Sequence, residues 1–350
     1  MSEFEGLFSL FSDNENIVFV GHLNPDGDCV GSMKGLYNYF RGIKKNIKIV
    51  IPNSYPYFLD FLDEDKQILQ YSNDPQKVEQ VLEASEAIVC FDFNSIKRID
   101  KLGDLVEKYK KNNFAVIDHH PGIELSNFGI AISFPQLSST CEVVYTIIKE
   151  WEKNSIYYNG KLNNLIIPQK IPVDAAQALY CGLVTDTNNF SNSVCASTFA
   201  MGAAMLELGV DKEHVQGMIY GGFTSDRMRL MGYMLNENMK IYPVHKAGIM
   251  ILNQDIKDKF NFQEGDSEGF VNLALGIRGL EVSALFTQSK DVVRVSLRSK
   301  SEFSVNKFAQ LYFNGGGHEK ASGGKITIPI EQVEEYFLKC IEEFTNKYKN

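Results

Sequence analysis

The chain has 350 residues, 44% hydrophobic and 23% charged, which excludes an extended disordered protein and leaves room for two domains. A formal net charge of −9 argues against a protein that grips long duplex DNA, which takes a broad basic surface, but leaves room for short nucleotides held by a few arginines. The opening Met-Ser-Glu-Phe-Glu has no basic or apolar leader, no apolar stretch reaches the length of a membrane span, and the six cysteines lack CxxC pairing, so the expectation is a cytoplasmic protein with reduced thiols and no membrane contact.

In chain order, Ile17-Val18-Phe19-Val20 reads as a short buried strand and leads through Gly21 into His22-Leu23-Asn24-Pro25-Asp26-Gly27-Asp28. His22, Asp26 and Asp28 place one imidazole and two carboxylates in a tight loop, which Pro25 stiffens and Gly27 is expected to let bend. Carboxylates so close repel each other unless a cation sits between them. A helix over 29–40 and a strand over 47–51 follow, then a helix over 78–84 and a strand over 87–91 that ends in Asp92. A basic helix over 99–111 precedes a strand over 114–117 that ends in Asp118-His119-His120, and a further strand covers 130–134. Ser139-x-x-Glu142 is a capping box for the next helix. Residues 152–171 read as a connection, a helix then runs from Val173 toward Thr185-Asp186-Thr187, and more helices cover 195–207, 211–220 and 224–238.

This alternation predicts an α/β domain, a parallel sheet with helices on both faces, over 1–222. A connecting helix or linker is expected over 223–240 and a smaller α+β domain over 241–350. In that last region the pattern gives a hairpin turn at 244–248, a helix over 269–274, paired strands over 281–287 and 292–297, and a helix over 303–312. Gly315-Gly316-Gly317-His318 follows, then a strand over 325–328 and an amphipathic helix over 330–347.

In an open α/β sheet the carboxyl ends of the strands share one edge, where ligands bind. That edge would gather the 22–28 loop, Asp92 and Asp118-His119-His120, with Asp186 as a fourth group. A donor set of carboxylates and imidazoles suits Mn²⁺ or Mg²⁺ better than structural zinc. So many carboxylates call for two ions, bridged by one aspartate, with a water activated between them for attack on phosphorus. Taken singly, Asp92 or Asp186 could be a helix cap and His119 or His120 a hydrogen-bonded core histidine. Their joint occurrence carries the metal reading.

Gly21-His22-Leu23-Asn24-Pro25-Asp26-Gly27-Asp28, Phe91-Asp92, Asp118-His119-His120 and Thr185-Asp186-Thr187 resemble, in order, the four signature motifs of the DHH phosphoesterase family. Asn314-Gly315-Gly316-Gly317-His318-x-x-Ala321-Ser322-Gly323 resembles the glycine-rich motif of that family's associated C-terminal domain. The two-domain length looks most like the nanoRNase/pAp phosphatase (bifunctional oligoribonuclease) branch. The resemblance implies two Mn²⁺ ions, with Mg²⁺ or Co²⁺ as substitutes. His22 and Asp26 would hold one, Asp28, His119 and Asp186 the other, and Asp92 would bridge them. His120 would sit at the phosphate and Asp118 would orient a ligand histidine. Asn188 stands where many relatives carry glycine, which bears on loop shape rather than on ligation. In the C-terminal domain the Gly315, Gly316 and Gly317 amides would approach a phosphate, and His318 and Arg298 would bind the phosphate that is not cleaved.

The implied activity is a Mn-dependent phosphodiesterase/exoribonuclease and 3′(2′),5′-bisphosphate nucleotidase. It would convert short RNA oligonucleotides and linear dinucleotides such as pGpG or pApA to mononucleotides, and pAp to AMP, as a homodimer. An inorganic pyrophosphatase or exopolyphosphatase would carry a different C-terminal domain. A single-strand DNA exonuclease would need further nucleic-acid-binding domains, and a membrane-bound cyclic-di-AMP phosphodiesterase would need spans. A degenerate nucleotide-binding protein would have lost ligands, whereas every family ligand position is filled here.

Overall fold

A computed structural model describes residues 2–43, 46–110, 113–154, 168, 170–290, 292–300 and 302–348. Most of the expected connection at 152–171, and Lys111 at the end of the expected basic helix, lie outside the described residues. The chain divides into two compact units, Met1–Gly222 and Phe223–Asn350.

The first unit opens with a helix that the periodicity did not single out, α1 (Glu3–Asp13), closed by a capping box between Ser2 and Glu5. Six strands follow: β1 (Asn16–Val20), β2 (Asn46–Ile51), β3 (Ile68–Gln70), β4 (Ala87–Phe91), β5 (Phe114–Asp118) and β6 (Ile130–Ser133). All pair in parallel, in the order β3-β2-β1-β4-β5-β6. β4 and β5 are buried at every position, as strands covered on both faces must be. Ile17 and Phe19 point into a core shared with Phe11, Phe40, Phe91 and Trp151, while Val18 and Val20 point into the opposite core with Ile88, Cys90 and Val116.

Among the described residues the further α-helices of this unit are α2 (Gly27–Phe40), α3 (Pro75–Glu83), α4 (Leu102–Tyr109), α5 (Thr140–Lys153), α6 (Val173–Asp186), α7 (Ala196–Glu207) and α8 (Lys212–Gln216). The expected helix over 99–111 is instead a 3₁₀ turn, Ile96–Ile99, followed by α4, because Asp100 takes a φ of 47° and breaks the run. The aromatic stretch after β2 is pinned by buried Asp63, whose carboxylate accepts from Lys34 Nζ (3.2 Å), Gln67 N (3.0 Å) and Ile68 N (3.2 Å).

α2 and α6 pack backbone to backbone. Gly27, Gly31 and Gly35 repeat every four residues and so form one stripe on α2. A Cβ on Gly31 would lie 2.6 Å from Ala178 O, and one on Gly35 2.5 Å from Leu179 Cδ2. Gly27 was expected to provide a bend, but it sits within the helix, where a Cβ would come within 2.3 Å of Thr185 Oγ1. The turn before it is made by Asn24, at φ 55°.

The second unit holds α9 (Ser225–Tyr233), β7 (Lys240–Tyr242), β8 (Ala247–Leu252), α10 (Gln254–Lys259), α11 (Phe270–Leu273), β9 (Val282–Ser289), β10 (Val292–Ser299), α12 (Val305–Tyr312), β11 (Gly316–Gly317), β12 (Ala321–Ile326) and α13 (Val333–Tyr348). Its mixed sheet runs β11-β12-β10-β9-β8-β7, with only β8 and β9 parallel. Phe286, Phe308, Phe313, Phe337 and Phe344 fill its core. The last strand was expected over 325–328 and is found at β12 instead. Its Gly323 and Gly324 read locally as a loop, yet a Cβ on Gly324 would lie 2.4 Å from Phe313 O, a close approach that requires glycine. Among the described residues no helix is long and apolar enough to cross a membrane.

Candidate metal centre

The strand order reverses direction between β1 and β4, and in such sheets the crevice outside the carboxyl ends at the reversal is where ligands bind. β1 leads through Gly21 to His22, β4 leads directly to Asp92, and β5 ends in Asp118 ahead of His119 and His120. α2 brings Asp28 in its first turn, and its N-cap Asp26 accepts from the amides of Asp28 (3.0 Å) and Cys29 (3.1 Å). Asp186 is the last residue of α6, so the glycine-mediated contact of α2 with α6 sets the spacing of these two carboxylates.

The two histidines present their Nε2 atoms to the crevice. His22 Nδ1 donates to Leu23 O (2.9 Å), which leaves Nε2 facing Asp92 Oδ2 at 3.3 Å and Asp26 Oδ1 at 3.9 Å. His119 Nδ1 lies 3.4 Å from Leu137 O, and its Nε2 faces Asp186 Oδ2 at 3.6 Å, Asp92 Oδ1 at 3.7 Å and Asp28 Oδ2 at 3.8 Å. Asp92 Oδ2 thus faces His22, while Oδ1 faces His119 and, at 3.6 Å, His120 Nδ1. Most of these separations are too long for good hydrogen bonds. They suit donors around a common cation, since two donors each about 2.1 Å from one ion lie about 3 Å apart at right angles and about 4 Å apart when opposite.

Asp92 is buried and has a φ of 64°, a costly conformation for a residue with a Cβ. Helix α5 secures the carboxylates from behind. Thr140 Oγ1 donates to Asp92 Oδ1 (2.9 Å), and the amides of Thr140 and Cys141 donate to Asp28 Oδ2 (2.6 Å) and Oδ1 (2.9 Å). A helix N-terminus is a natural place to hold negative charge. The expected capping box there is half formed: Ser139 accepts from Glu142 N (3.1 Å), but the Glu142 carboxylate takes Ser138 N (3.0 Å) and Oγ (2.5 Å) and Thr198 Oγ1 (3.0 Å).

Asp118 was expected to orient a ligand histidine. It holds His120 instead, with His120 Nδ1 2.8 Å from Asp118 Oδ1. This contact keeps the Asp118 carboxyl below its ordinary range despite burial, while burial outweighs Asp118 and lowers His120.

The charges call for a cation. Burial, then the neighbouring Asp28 and Asp26, push Asp92 well above the usual carboxylate range, and burial raises Asp28 as well. Burial would lower both ligand-type histidines, but Cys29 and Asp26 raise His22 to about 9, and Asp186, Asp28 and Asp92 raise His119 to about 9. Without metal these groups hold protons that the unfolded chain would release. The histidine contribution is complete below pH 6.5 and lost as pH rises to about 9. The raised carboxylates act in the same direction. Chelator-treated protein should lose melting temperature across that window, and a divalent ion should raise it more at pH 8.5 than at pH 6.5. Calorimetry at both pH values checks this, and an equal metal effect at the two would refute it.

Three contributors escaped the sequence reading. Thr140 and Cys29 carry no periodic signal, and Arg98 reads only as the flank of a basic helix. Arg98 lies half-buried on the 3₁₀ turn after Asp92, and its carbonyl accepts from Leu23 N (3.0 Å), which ties that turn to the His22 loop. Its guanidinium makes no ion pair among the described residues, and its charge lowers the proton affinity of both His22 and His120.

In the second unit Arg298 pairs across the sheet with Ala321, which exchanges backbone hydrogen bonds with His318. The glycine amides are used differently from expectation. Gly315 N donates to Ala309 O (3.2 Å), Gly317 N to Asn306 Oδ1 (3.2 Å) and His318 N to Ala321 O (2.8 Å). The glycines serve strand packing, since a Cβ on Gly315 would fall 1.9 Å from Gly323 O.

Comparisons with known proteins agree with this layout. Residues 16–183 match the model of the DHH family, N-terminal domain, and residues 248–347 that of the DHHA1 domain. The chain is 26% identical to the bifunctional oligoribonuclease and PAP phosphatase NrnA of Thermus thermophilus, covering 93% of this chain and 89% of that protein. It is also 26% identical to the Bacillus subtilis protein of the same name, over 89% of this chain and 90% of the relative. A crystal structure of an exopolyphosphatase-related protein from Bacteroides fragilis superposes with a TM-score of 0.86 at 31% identity, over 99% of this chain and 98% of that one. With this match along almost its whole length and the signature residues gathered at one sheet edge, the chain belongs to the DHH family.

Proposed function

We propose that the protein is a two-metal phosphoesterase that hydrolyses short oligoribonucleotides to mononucleotides and dephosphorylates pAp to AMP. The observation that carries this is Asp92, whose Oδ2 faces His22 and whose Oδ1 faces His119. His22 and Asp26 would hold one divalent ion, Asp28, His119 and Asp186 the other, and Asp92 both, with Mn²⁺ an ion that supports activity when it fills the two positions. Bound there, the ions supply a water acidic enough to attack phosphorus at neutral pH and neutralise charge on the phosphoryl oxygens. His120, held by Asp118, is placed to give a proton or hydrogen bond to the phosphate. Arg298 and His318 bind the phosphate that is not cleaved. The names of the Thermus and Bacillus relatives support the substrates. The six unpaired cysteines, five of them buried, support a reducing compartment, and we place the protein in the cytoplasm as a homodimer, to be checked by light scattering.

The test is a product assay with Mn²⁺ on pAp, pGpG, an RNA 5-mer, an RNA 24-mer and pyrophosphate. Mononucleotides from the short oligomers and phosphate from pAp, with the 24-mer and pyrophosphate intact, are the expected result. The likeness to the exopolyphosphatase-related protein of Bacteroides favours a second reading, cleavage of inorganic polyphosphate, and phosphate release from a polyphosphate added to the panel, with the nucleotides intact, would establish it.

Arg98 takes a role in the same scheme. An unpaired, half-buried guanidinium beside His22 and His120 is suited to a phosphate oxygen pair. Arg98→Ala should raise KM for the RNA 5-mer by about 10- to 100-fold, the worth of a charged hydrogen bond. Arg98→Lys should recover part of this. Calorimetric Mn²⁺ binding should be the same in both variants, and an unchanged KM would remove Arg98 from the substrate site.

A further inference from the structure

The two halves of the centre are chemically unlike. Around His119 the donors are oxygens and one nitrogen, from Asp28, Asp92 and Asp186. Around His22 there is also sulfur. Cys29 Sγ, a ring nitrogen of His22 and an oxygen of Asp92 all lie within 4.8 Å of one another, and all three residues are buried. The sulfur is held in place. The Cys29 amide donates to Asp26 Oδ1 (3.1 Å), which fixes its backbone in the first turn of α2. The thiol and the Met33 methyl both lie against Gly21, where a Cβ would come within 2.6 Å of Sγ and 2.7 Å of the methyl. Gly21 immediately precedes His22, so one close contact seats both the sulfur and the imidazole. Cys141, the other thiol close by, is directed at Asp28 O (3.7 Å).

We propose that Cys29 is a metal ligand and that His22, Cys29 and Asp92 form a position selective for borderline, thiophilic divalent ions such as Zn²⁺, Co²⁺ or Cd²⁺. The inference rests on the metal-centre reading above and deepens it. When the ion binds, the Cys29 S–H bond breaks, the proton leaves to solvent and the sulfur lone pair forms the S–metal bond, with no change of oxidation state. Thiolate ligation selects such ions, whereas an all-oxygen and imidazole set suits Mn²⁺ and Mg²⁺. The His22 position should therefore fill with zinc or cobalt ahead of the His119 position, and a mixed-metal centre is the expected product of loading with Co²⁺ and Mn²⁺ together.

The experiment is titration of chelator-treated, full-length protein with Co²⁺, followed by near-ultraviolet absorption and by equilibrium dialysis. Wild type and Cys141→Ser should develop a thiolate-to-cobalt charge-transfer band that saturates at the first equivalent. Cys29→Ser should bind cobalt by dialysis yet lack the band. Zinc-edge X-ray absorption of the one-equivalent Zn²⁺ wild-type protein gives a reading that needs no variant, with a sulfur scatterer expected at about 2.3 Å. Cobalt bound by wild type without the band, a zinc shell free of sulfur, or a band lost in Cys141→Ser and kept in Cys29→Ser each overturns Cys29 as ligand and leaves the metal centre standing. Failure of wild type to bind any cobalt overturns the metal centre and this inference together.

Discussion

Replacing Asp92 with asparagine should lower kcat on pAp and on short RNA by on the order of 10³-fold or more, beyond the 10- to 100-fold typical of residues that only support a ligand. Asparagine is the right probe because the site has two separable properties. One is charge: Asp92 Oδ2 faces His22 and Oδ1 faces His119, so one substitution removes negative charge from both halves of the centre. The other is backbone: φ is 64°, and asparagine tolerates that region far better than alanine does. Asp92→Ala would add backbone strain and confuse lost folding with lost chemistry. Asp92→Asn should keep a cooperative melting transition while its Mn²⁺ stoichiometry falls. Activity within tenfold of wild type would sink the bridging role. Intact nucleotide affinity in a wild-type protein that turns over none of the substrates would instead reveal a binding module on an enzyme fold.

Asp118→Asn should be the second most damaging change, with kcat reduced by about 10²- to 10⁴-fold at unchanged metal content. The Asp118 carboxylate can only accept, so its 2.8 Å contact fixes the proton on His120 Nδ1 and aims Nε2 outward. An asparagine amide can either donate or accept at that place, and the ring loses its fixed tautomer. Calorimetric Mn²⁺ titration separates this from loss of a ligand. If Asp118→Asn lost metal in step with activity, Asp118 would belong among the ligands and not behind His120.

Most residues of the candidate centre were legible from a local signal. For His22, Asp92, Asp118, His119 and His120 that signal is an apolar strand run giving way within two residues to charged or imidazole-bearing side chains. The strand order was not legible, since parallel pairing is decided between segments far apart in the chain and leaves no trace in any one of them. Gly27 shows the limit clearly. Within its heptapeptide it looks like a flexible hinge, and only Thr185, more than 150 residues later, shows that it is a contact glycine inside a helix. The same holds for Gly315 and Gly317, which look like an anion cradle until Gly323 and Ser322 are found against them. Arg98 was missed because a single cation beside Lys97 and Lys101 resembles any solvated helix start. Its meaning comes from the Leu23 amide, a partner that sequence spacing does not reveal.

The glycine stripe of α2 has a consequence for how this centre can vary. Asp28 and Asp186 are carried on two helices in backbone contact, so the aperture between them is set by helix separation rather than by any loop. Gly35 lies two turns from Asp28, about 10 Å along the helix. A methyl there meets only the Leu179 side chain, but one at Gly31, a turn nearer, meets the Ala178 carbonyl and would prise the helices apart like a shim placed away from the edge it opens. The centre thus has a remote tuning position at 31 that touches neither ion nor substrate. A larger residue at 35 can be matched by a smaller one at 179, whereas one at 31 meets main chain and must move the helix, so position 31 offers a route by which related chains could shift metal preference while every ligand stays the same.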